Sequence, residues 1–538
     1  MMQKSDFFYN RKGEPVFLTG LQCHNSSVGT ELIDSTIQAI HLYGGNLLEA
    51  PVYWCEVEAE EDCYDFSMVK TLVDKAKAAG LYLIPLWFGA SKNGLFTYAP
   101  DYIKRNVGVY KRARNSAGIP VESLSPHCRA TLDRDKKVFS KVMEFLAGYD
   151  REGTVIAVQI ENEIGLAHTD RDYSKEAEAE YRQPVAKYLW DVKLKDSGVG
   201  EESTGTIDPP TWKGLFGRHA NEAFSAWKHA CYIQEMVEAG LEKYGIPYIM
   251  NVSIEINEYE EPGLCYISGG PVARVLDIWK KTAPGIKLFG PDIYLPAERD
   301  YRKACEAYAR PDNPLFIPES LIGGIGAALN MMIAVADYAA IGICCFGAES
   351  GIADGKLLPE AEQTAISMRA IASLAPLLIR YRGTGRIHAV TQAEFSGWQY
   401  VKTEDYHVTA RFLSNDPKPQ HYFGSRINTN DPKNASCLTD RGRCLLVDCG
   451  DGEFYVAGAG VCLTFLRRPE VWDDTPYAHL ASALSGQLNF LSVEEGHFEG
   501  NTWIREYRRN GDEANYQLYV HPGQVVRVRL NPDIKWEE

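Results

Sequence analysis

An α/β fold, a (β/α)8 TIM barrel followed by a C-terminal antiparallel β-sandwich-like domain, is predicted by three observations in the 538-residue chain. Up to about residue 380, short apolar runs alternate with helical patterns, the signature of parallel strands joined by helices. Eight such runs can be counted, the number a closed barrel of this kind needs. From RGTGRIHAV onward the pattern changes to short runs separated by Gly, Asn and Asp, which reads as antiparallel strands. The expected domains are 1–382 for the barrel, with an insertion around 166–218, and 383–538 for the β domain.

In chain order the eight runs are VFLTGLQ, NLLEAPVY, YLIPLWF, VIAVQIENE, YIMNVSI, KLFGPDIY, LFIPES and GICCFGAE. Each is followed by polar or Gly-rich residues, and most then by an amphipathic stretch such as MVKTLVDKAKAAG. Between Leu166 and about Arg218 lies a polar and aromatic insertion that includes SGVGEESTGTIDPP. Loops after barrel strands shape the site. This one reads either as a wall or lid that brings Trp190 or Trp212 near a ligand, or as a surface excursion with its own small apolar cluster or an oligomer contact. In the β domain, DRGRCLLVDCGDGEFYVAGAG holds a DG pair between two strand-like runs, a hairpin signal. That domain is expected to brace the barrel or an oligomer interface.

The fourth run delivers Asn162 and Glu163 to a carboxyl end, and the seventh stops on Glu319 before a Gly-rich stretch. In a barrel, that end is where catalysis happens. Two carboxyls presented in this way suit acetal cleavage, in which one acid protonates the leaving oxygen and one carboxylate meets the oxocarbenium-like carbon. The chemistry needs no metal and no organic cofactor, and none is expected. Alternation along a strand would place Glu161 and Glu163 on one face and Asn162 on the other. Further rim candidates are His24 and Asn25 after the first strand, Trp54, Glu56 and Glu58 after the second, Trp87 after the third, Tyr294 after the sixth and Glu349 at the end of the eighth. Tyr294 could donate its hydroxyl to Glu319, and Trp54 and Trp87 could stack on a sugar's apolar face. His24 reads as a hydrogen-bonded structural histidine rather than a catalyst, because the mechanism does not need it.

The chain resembles the family 35 and family 42 β-galactosidases, part of a clan of retaining glycosidases built on the (β/α)8 barrel. The likeness is carried by FYNRKGEPVFLTGLQCHNSS, GGNLLEAPVYWCEVEAEEDCYDF, QIENEIG and PLFIPES, and by a β domain with EEGHFEGNTWIREYRRNGDE. It implies that Glu163 is the general acid/base, Glu319 the nucleophile and Asn162 a ligand for the sugar 2-hydroxyl. There are departures from the family 35 pattern. Pro51 stands where that family has a Tyr, Lys92 and Asn93 follow the third strand where it has an acid, and its eighth-strand Tyr is missing from GICCFGAESG around Cys345. The expected activity is therefore a retaining exo-glycosidase of the β-galactosidase type. The alternatives are the same machinery on a β-glucoside, β-fucoside or arabinoside, and a barrel that binds glycans without cleaving them.

Composition narrows the partners. A formal net charge of −16 argues against a nucleic-acid backbone and against an anionic membrane surface. A neutral small-molecule or oligosaccharide β-glycoside is the expected ligand, and a homo-oligomer is left open. The start, MMQKSDFFYNRKGEPV, lacks the features of a secretory signal, so a cytoplasmic location is expected. The 13 Cys are scattered without paired spacing, and Cys344 and Cys345 sit in an apolar run, so buried free thiols are expected. Cys437, Cys444 and Cys449 fit no zinc pattern, and none of the strand ends presents a His pair. The scattered glycines form neither a P-loop nor a dinucleotide fingerprint.

Overall fold

The computed structural model describes residues 7–198, 209–257, 259–394, 396–413, 441–467, 490–514 and 518–531. Eight parallel strands form the barrel wall: β1 (Leu18–Gln22), β2 (Leu47–Tyr53), β3 (Tyr82–Lys92), β4 (Val158–Asn162), β5 (Tyr248–Ser253), β6 (Ile286–Asp292), β7 (Phe316–Ile317) and β8 (Gly342–Phe346). Each falls within, or overlaps closely, one of the eight apolar runs. The runs are continuous rather than alternating because a parallel strand under a layer of helices is buried on both faces; every residue of β1, β2 and β4 is buried.

Hydrogen bonding orders the sheet β6-β5-β4-β3-β2-β1-β8-β7, so sequence neighbours are spatial neighbours. The ring closes between β6 and β7, where Ile293 bridges Ser320 and the Ile293 amide donates to the Glu319 carbonyl at 2.9 Å. Helices follow the strands: α1 (Leu32–Tyr43), α2 (Ser67–Ala78), α3 (Arg129–Tyr149), α4 (Ala220–Leu241), α5 (Leu276–Thr282), α6 (Glu298–Tyr308), α7 (Ile325–Asp337) and α8 (Pro359–Ser373). In α2 the buried residues are Val69, Leu72, Val73 and Ala76, one apolar stripe at helical spacing. Gly44 stops α1 with φ 69° and donates its amide to the His41 carbonyl, a left-handed cap that side chains rarely adopt.

The insertion after β4 packs onto the barrel: Val185, Leu189, Trp212, Leu215 and Phe216 join the barrel's own apolar core. Trp212 is buried with its ring 5.3–5.7 Å from those of Phe216, Phe224 and Trp227, and the half-buried Trp190 indole donates to the Val185 carbonyl at 2.9 Å. Both rings pack within the excursion or against α4, and the expectation of a separate small apolar cluster is corrected, since the segment's apolar residues join the barrel core. Residues 199–208 of the SGVGEESTGTIDPP run lie outside the described residues, as does Cys437. Cys344 and Cys345 are buried free thiols.

The later domain is two antiparallel sheets. One has six strands in the order Ile387–Thr391, Arg443–Gly450, Glu453–Ala459, Val525–Leu530, Phe490–Glu499 and Thr502–Arg508. The other has four, Trp398–Lys402, Tyr406–Phe412, Val461–Arg467 and Leu518–Val520. They share an apolar cluster that includes Val408, Phe465, Phe454 and Val526. Asp451 and Gly452, both at positive φ (51° and 74°), form the turn that the DG pair signals. The larger sheet leans on the barrel: Leu445, Val447, Tyr455 and Ala457 join the barrel's own apolar core. Arg443, fully buried, donates to Ser367 Oγ at 2.7 Å and to the Gln363 carbonyl at 2.8 Å on α8.

Candidate active site

The site is built where β4, β5, β6 and β7 end. At the end of β4 the backbone leaves extended geometry, and both Glu161 (φ 58°) and Glu163 (φ 45°) take left-handed conformations. Strand alternation therefore fails there, and the expectation that the two acids share a face is corrected. Glu161 turns out of the barrel, where its carboxylate accepts from the amides of Gly89, Ala90 and Ser91 at 3.2, 3.0 and 2.8 Å. It also pairs with the carboxyl of Asp135 on α3. Glu163 turns to the mouth and meets the Asp292 carboxyl at the end of β6 and the Ser253 hydroxyl at the end of β5.

Asn251 of β5 ties the two predicted acids together. Its Oδ1 accepts from the Glu163 amide at 2.9 Å, and its Nδ2 donates to Glu319 Oε1 at 3.2 Å and to Asp292 Oδ2 at 2.7 Å. Gln22, the last residue of β1, donates a second hydrogen bond to Glu319 Oε1 at 3.0 Å, and Tyr294 donates its hydroxyl to Glu319 Oε2 at 2.6 Å. Three donors therefore hold the Glu319 carboxylate. At Glu163, burial, and then the negative charge of Glu319, push the carboxyl up to about 7. One acid that keeps its proton near neutrality beside one carboxylate held by donors is a pair able to protonate a leaving oxygen and attack an electrophilic carbon.

The remaining rim candidates divide. Lys92 and Asn93 do reach Asn162: Lys92 Nζ and Asn162 Nδ2 both donate to Asn93 Oδ1, at 2.5 and 3.1 Å. The Lys92 ammonium also acts on the charges of Glu163 and Asp292. Trp54 and Trp87 do not reach the mouth, which corrects the expectation that they stack on a sugar. They are 0% and 1% exposed. The Trp87 indole points outward and donates to Asp135 Oδ1 on α3 at 2.9 Å. That of Trp54 donates to Glu58 Oε2 at 3.1 Å. Glu58, expected as a ligand contact, is a fully buried partner of Arg134 and Tyr102. Its carboxylate is taken up by the Arg134 guanidinium, the Tyr102 hydroxyl and the Trp54 indole, so Glu58 is spent on structure.

His24 joins two rims rather than contacting the acid pair: its Nε2 is 2.7 Å from Ser350 Oγ and its amide donates to Glu349 Oε2 at 3.1 Å. Glu349 in turn accepts from Thr36 of α1 at 2.7 Å. Asn25 contributes its carbonyl to the Tyr53 hydroxyl at 2.6 Å. Four residues at the acids were not anticipated: Gln22, Asn251, Ser253 and Asp292. Asp292 carries a weaker form of the signal at Glu163 and Glu319, an acid late in an apolar run, and Asn251 is an amide inside one. Below them in the wall, Glu49 of β2 is fully buried, and burial, followed by Glu319, raises its carboxyl well above the ordinary range. Among the described residues no group of three or more His, Cys, Asp and Glu is arranged to hold a metal ion, and no helix is long and apolar enough to cross a membrane.

Residues 26–195 match the family model described as beta-galactosidase, and residues 367–521 match a domain of unknown function, DUF5597. The barrel is similar in fold to a beta-galactosidase from Bacillus circulans sp. alkalophilus, with 13% identity and a TM-score of 0.50 over 69% of this chain and 58% of that one. Two other similar structures are the catalytic domain of a beta-amylase from Paenibacillus polymyxa (14% identity, TM-score 0.49, 66% of this chain and 98% of that one) and a beta-galactosidase from Rahnella sp. R3 (13% identity, TM-score 0.46, 71% and 58%). No curated protein matches the chain. The family match spans strands β2 to β4 of the barrel and supports a glycoside hydrolase. Within that class it is β-galactosidase-like, with a DUF5597 segment behind the barrel.

Proposed function

We propose that the protein is a retaining exo-β-glycosidase and that its sugar is galactose. Glu319 is the nucleophile and Glu163 the acid/base. Glu319 attacks the anomeric carbon as Glu163 protonates the departing oxygen; Glu163 then takes a proton from water, which attacks the glycosyl-enzyme and restores Glu319. The observation that carries this reading is the single side chain of Asn251, which touches both the Glu163 backbone and the Glu319 carboxylate. A shared amide keeps the two acids close, as direct attack demands, and the raised Glu163 carboxyl supplies the proton near pH 7. Tyr294 aims the nucleophile, and Asn162, buried and held by Asn93, is the residue that the family resemblance assigns to the sugar 2-hydroxyl. The domains act as 1–382 for catalysis and 383–538 as a brace.

A second sugar is favoured by one specific observation: Lys92, not an acid, sits beside Asn93 and Asn162. A panel of nitrophenyl β-glycosides separates galactoside from glucoside, fucoside and arabinoside. A 2-fluoro galactoside that traps the intermediate should label Glu319, read by peptide mass. A label on another residue, or inversion of the product anomer followed by NMR, overturns the mechanism. A glycan-binding barrel without turnover is excluded once Glu319→Gly abolishes a measured activity while sugar binding remains.

A further inference from the structure

A third carboxyl stands at the acids, and the mechanism above does not use it. Asp292 ends β6, is 4% exposed and is hydrogen-bonded to the Glu163 carboxyl. Its Oδ2 accepts from Asn251 Nδ2 at 2.7 Å. Its Oδ1 is buried and accepts from no N–H or O–H donor among the described residues. A buried carboxylate oxygen without a donor costs free energy, and two ionised carboxyls in contact cost more. Both costs disappear if Oδ1 carries a proton and gives it to Glu163 as a hydrogen bond, with Oδ2 left as the carbonyl that Asn251 satisfies.

Resting on the reading of Glu163 as acid/base, we propose that Asp292 is a positioning residue for it: a neutral carboxylic acid that donates to Glu163 and steadies the carboxylate formed each time Glu163 gives up its proton. No proton leaves Asp292 in either half-reaction. Glu163 transfers its own to the leaving oxygen and regains one from water, while the Asp292 hydrogen bond aims its carboxyl throughout. The groups that face the pair are consistent with a neutral Asp292. Glu319 at the end of β7 repels a second anion there, and Tyr294 and Tyr308 bring hydroxyls rather than positive charge. Lys92 at the end of β3 is a cation that acts on Asp292 the other way, and it is outweighed by burial, Glu319 and Glu163. Burial and then Glu319 and Glu163 hold the Asp292 carboxyl well above the ordinary aspartate range.

Asp292→Asn preserves both bonds, since an amide can accept from Asn251 and donate to Glu163, whereas Asp292→Ala removes the donor. The expected result is a loss in kcat for Asp292→Asn smaller than for Asp292→Ala. The alkaline limb of the kcat/KM profile should move by less than about 0.5 unit in the first and upward in the second, because a carboxylate that loses a donor is harder to form. A downward move of about one unit or more in Asp292→Asn would mean that a negative charge had been removed, and overturns the proposal. So would two variants with the same kcat and the same profile. If Asp292→Ala does not fold, the Asn variant alone carries the test. Infrared titration of the carboxyl band lost in Glu163→Gln reads the same shift without turnover, so it still reports on Asp292 if azide fails to rescue Glu163→Ala and the acid/base reading itself falls.

Discussion

Two carboxyl pairs flank the end of β4, one on each side of the barrel wall, and they are built from the same parts. Outside, Glu161 meets Asp135; inside, Glu163 meets Asp292. The outer pair is saturated, with three amides on Glu161 and the Trp87 indole and Tyr232 hydroxyl on Asp135 at 2.9 and 2.7 Å. There is no room beside it: a Cβ on Gly89 would stand 2.3 Å from the Trp87 Nε1 and 2.7 Å from Glu161 Oε1. The inner pair has Asn251 and Ser253 as its neutral neighbours, and Glu163 is partly exposed. Burial raises the Glu161 carboxyl well above the ordinary range as well, so the two pairs differ in what occupies their oxygens and in exposure, not in the direction of their proton affinity. The outer pair holds β4 to β3 and α3, which is what lets β4 present Glu163 in a strained conformation.

The largest way to sharpen this comparison is chemical. Glu319→Gly should lower kcat by about four orders of magnitude or more, measured on an activated aryl galactoside, while the melting temperature stays near that of the native protein. A residual rate within tenfold of native would remove Glu319 from the reaction. Tyr294→Phe deletes the 2.6 Å donor on Glu319 and should cost about 10²-fold in kcat with little change in KM. Equal losses in Glu319→Gly and Tyr294→Phe would point to a collapsed site rather than to a lost donor.

The outer pair should respond in stability rather than rate. Glu161→Ala strands three buried amides and leaves Asp135 without its partner, so unfolding in urea should lose about 3 kcal/mol. A loss confined to kcat would reverse the assignment of the two pairs. Glu163→Gln is the opposite case and the smallest effect. A carboxyl at about 7 when folded and near its ordinary value when unfolded binds more protons in the folded state between those values, so its ionisation weakens the fold as pH rises through that window. The amide variant should therefore be the more stable protein above pH 7, by about 1–3 kcal/mol, and indistinguishable below about pH 4, as thermal melts at the two pH values will read.

How far the site was legible depends on what each residue's neighbours in sequence could say. Glu163 and Glu319 end apolar runs, and a barrel sends such ends to its mouth. The Tyr294 bond to Glu319 follows from the same placement. Trp54 and Trp87 failed because a strand residue near the rim has two sides, and the run in which Trp87 sits is apolar on both; only the position of Asp135 on α3 decides that its indole faces the helices. Glu58 failed for a similar reason, since its partner Arg134 lies 76 residues away. Asp292 stands inside the sixth run, two residues before its end, so its sequence neighbours do not mark it as a rim acid in the way that those of Glu163 and Glu319 do.

The sequence by itself determined the eight-stranded wall, the change to antiparallel strands behind it and the rim position of the two acids, because hydrophobic periodicity and strand order are local properties. Tertiary structure decided which way the side chains at the end of β4 turn, which indoles the helices claim and which carboxyls keep their protons. Those outcomes depend on donors, charges and burial supplied by strands and helices distant along the chain, and proton affinity is set by the sum of such neighbours rather than by the residue that carries the proton.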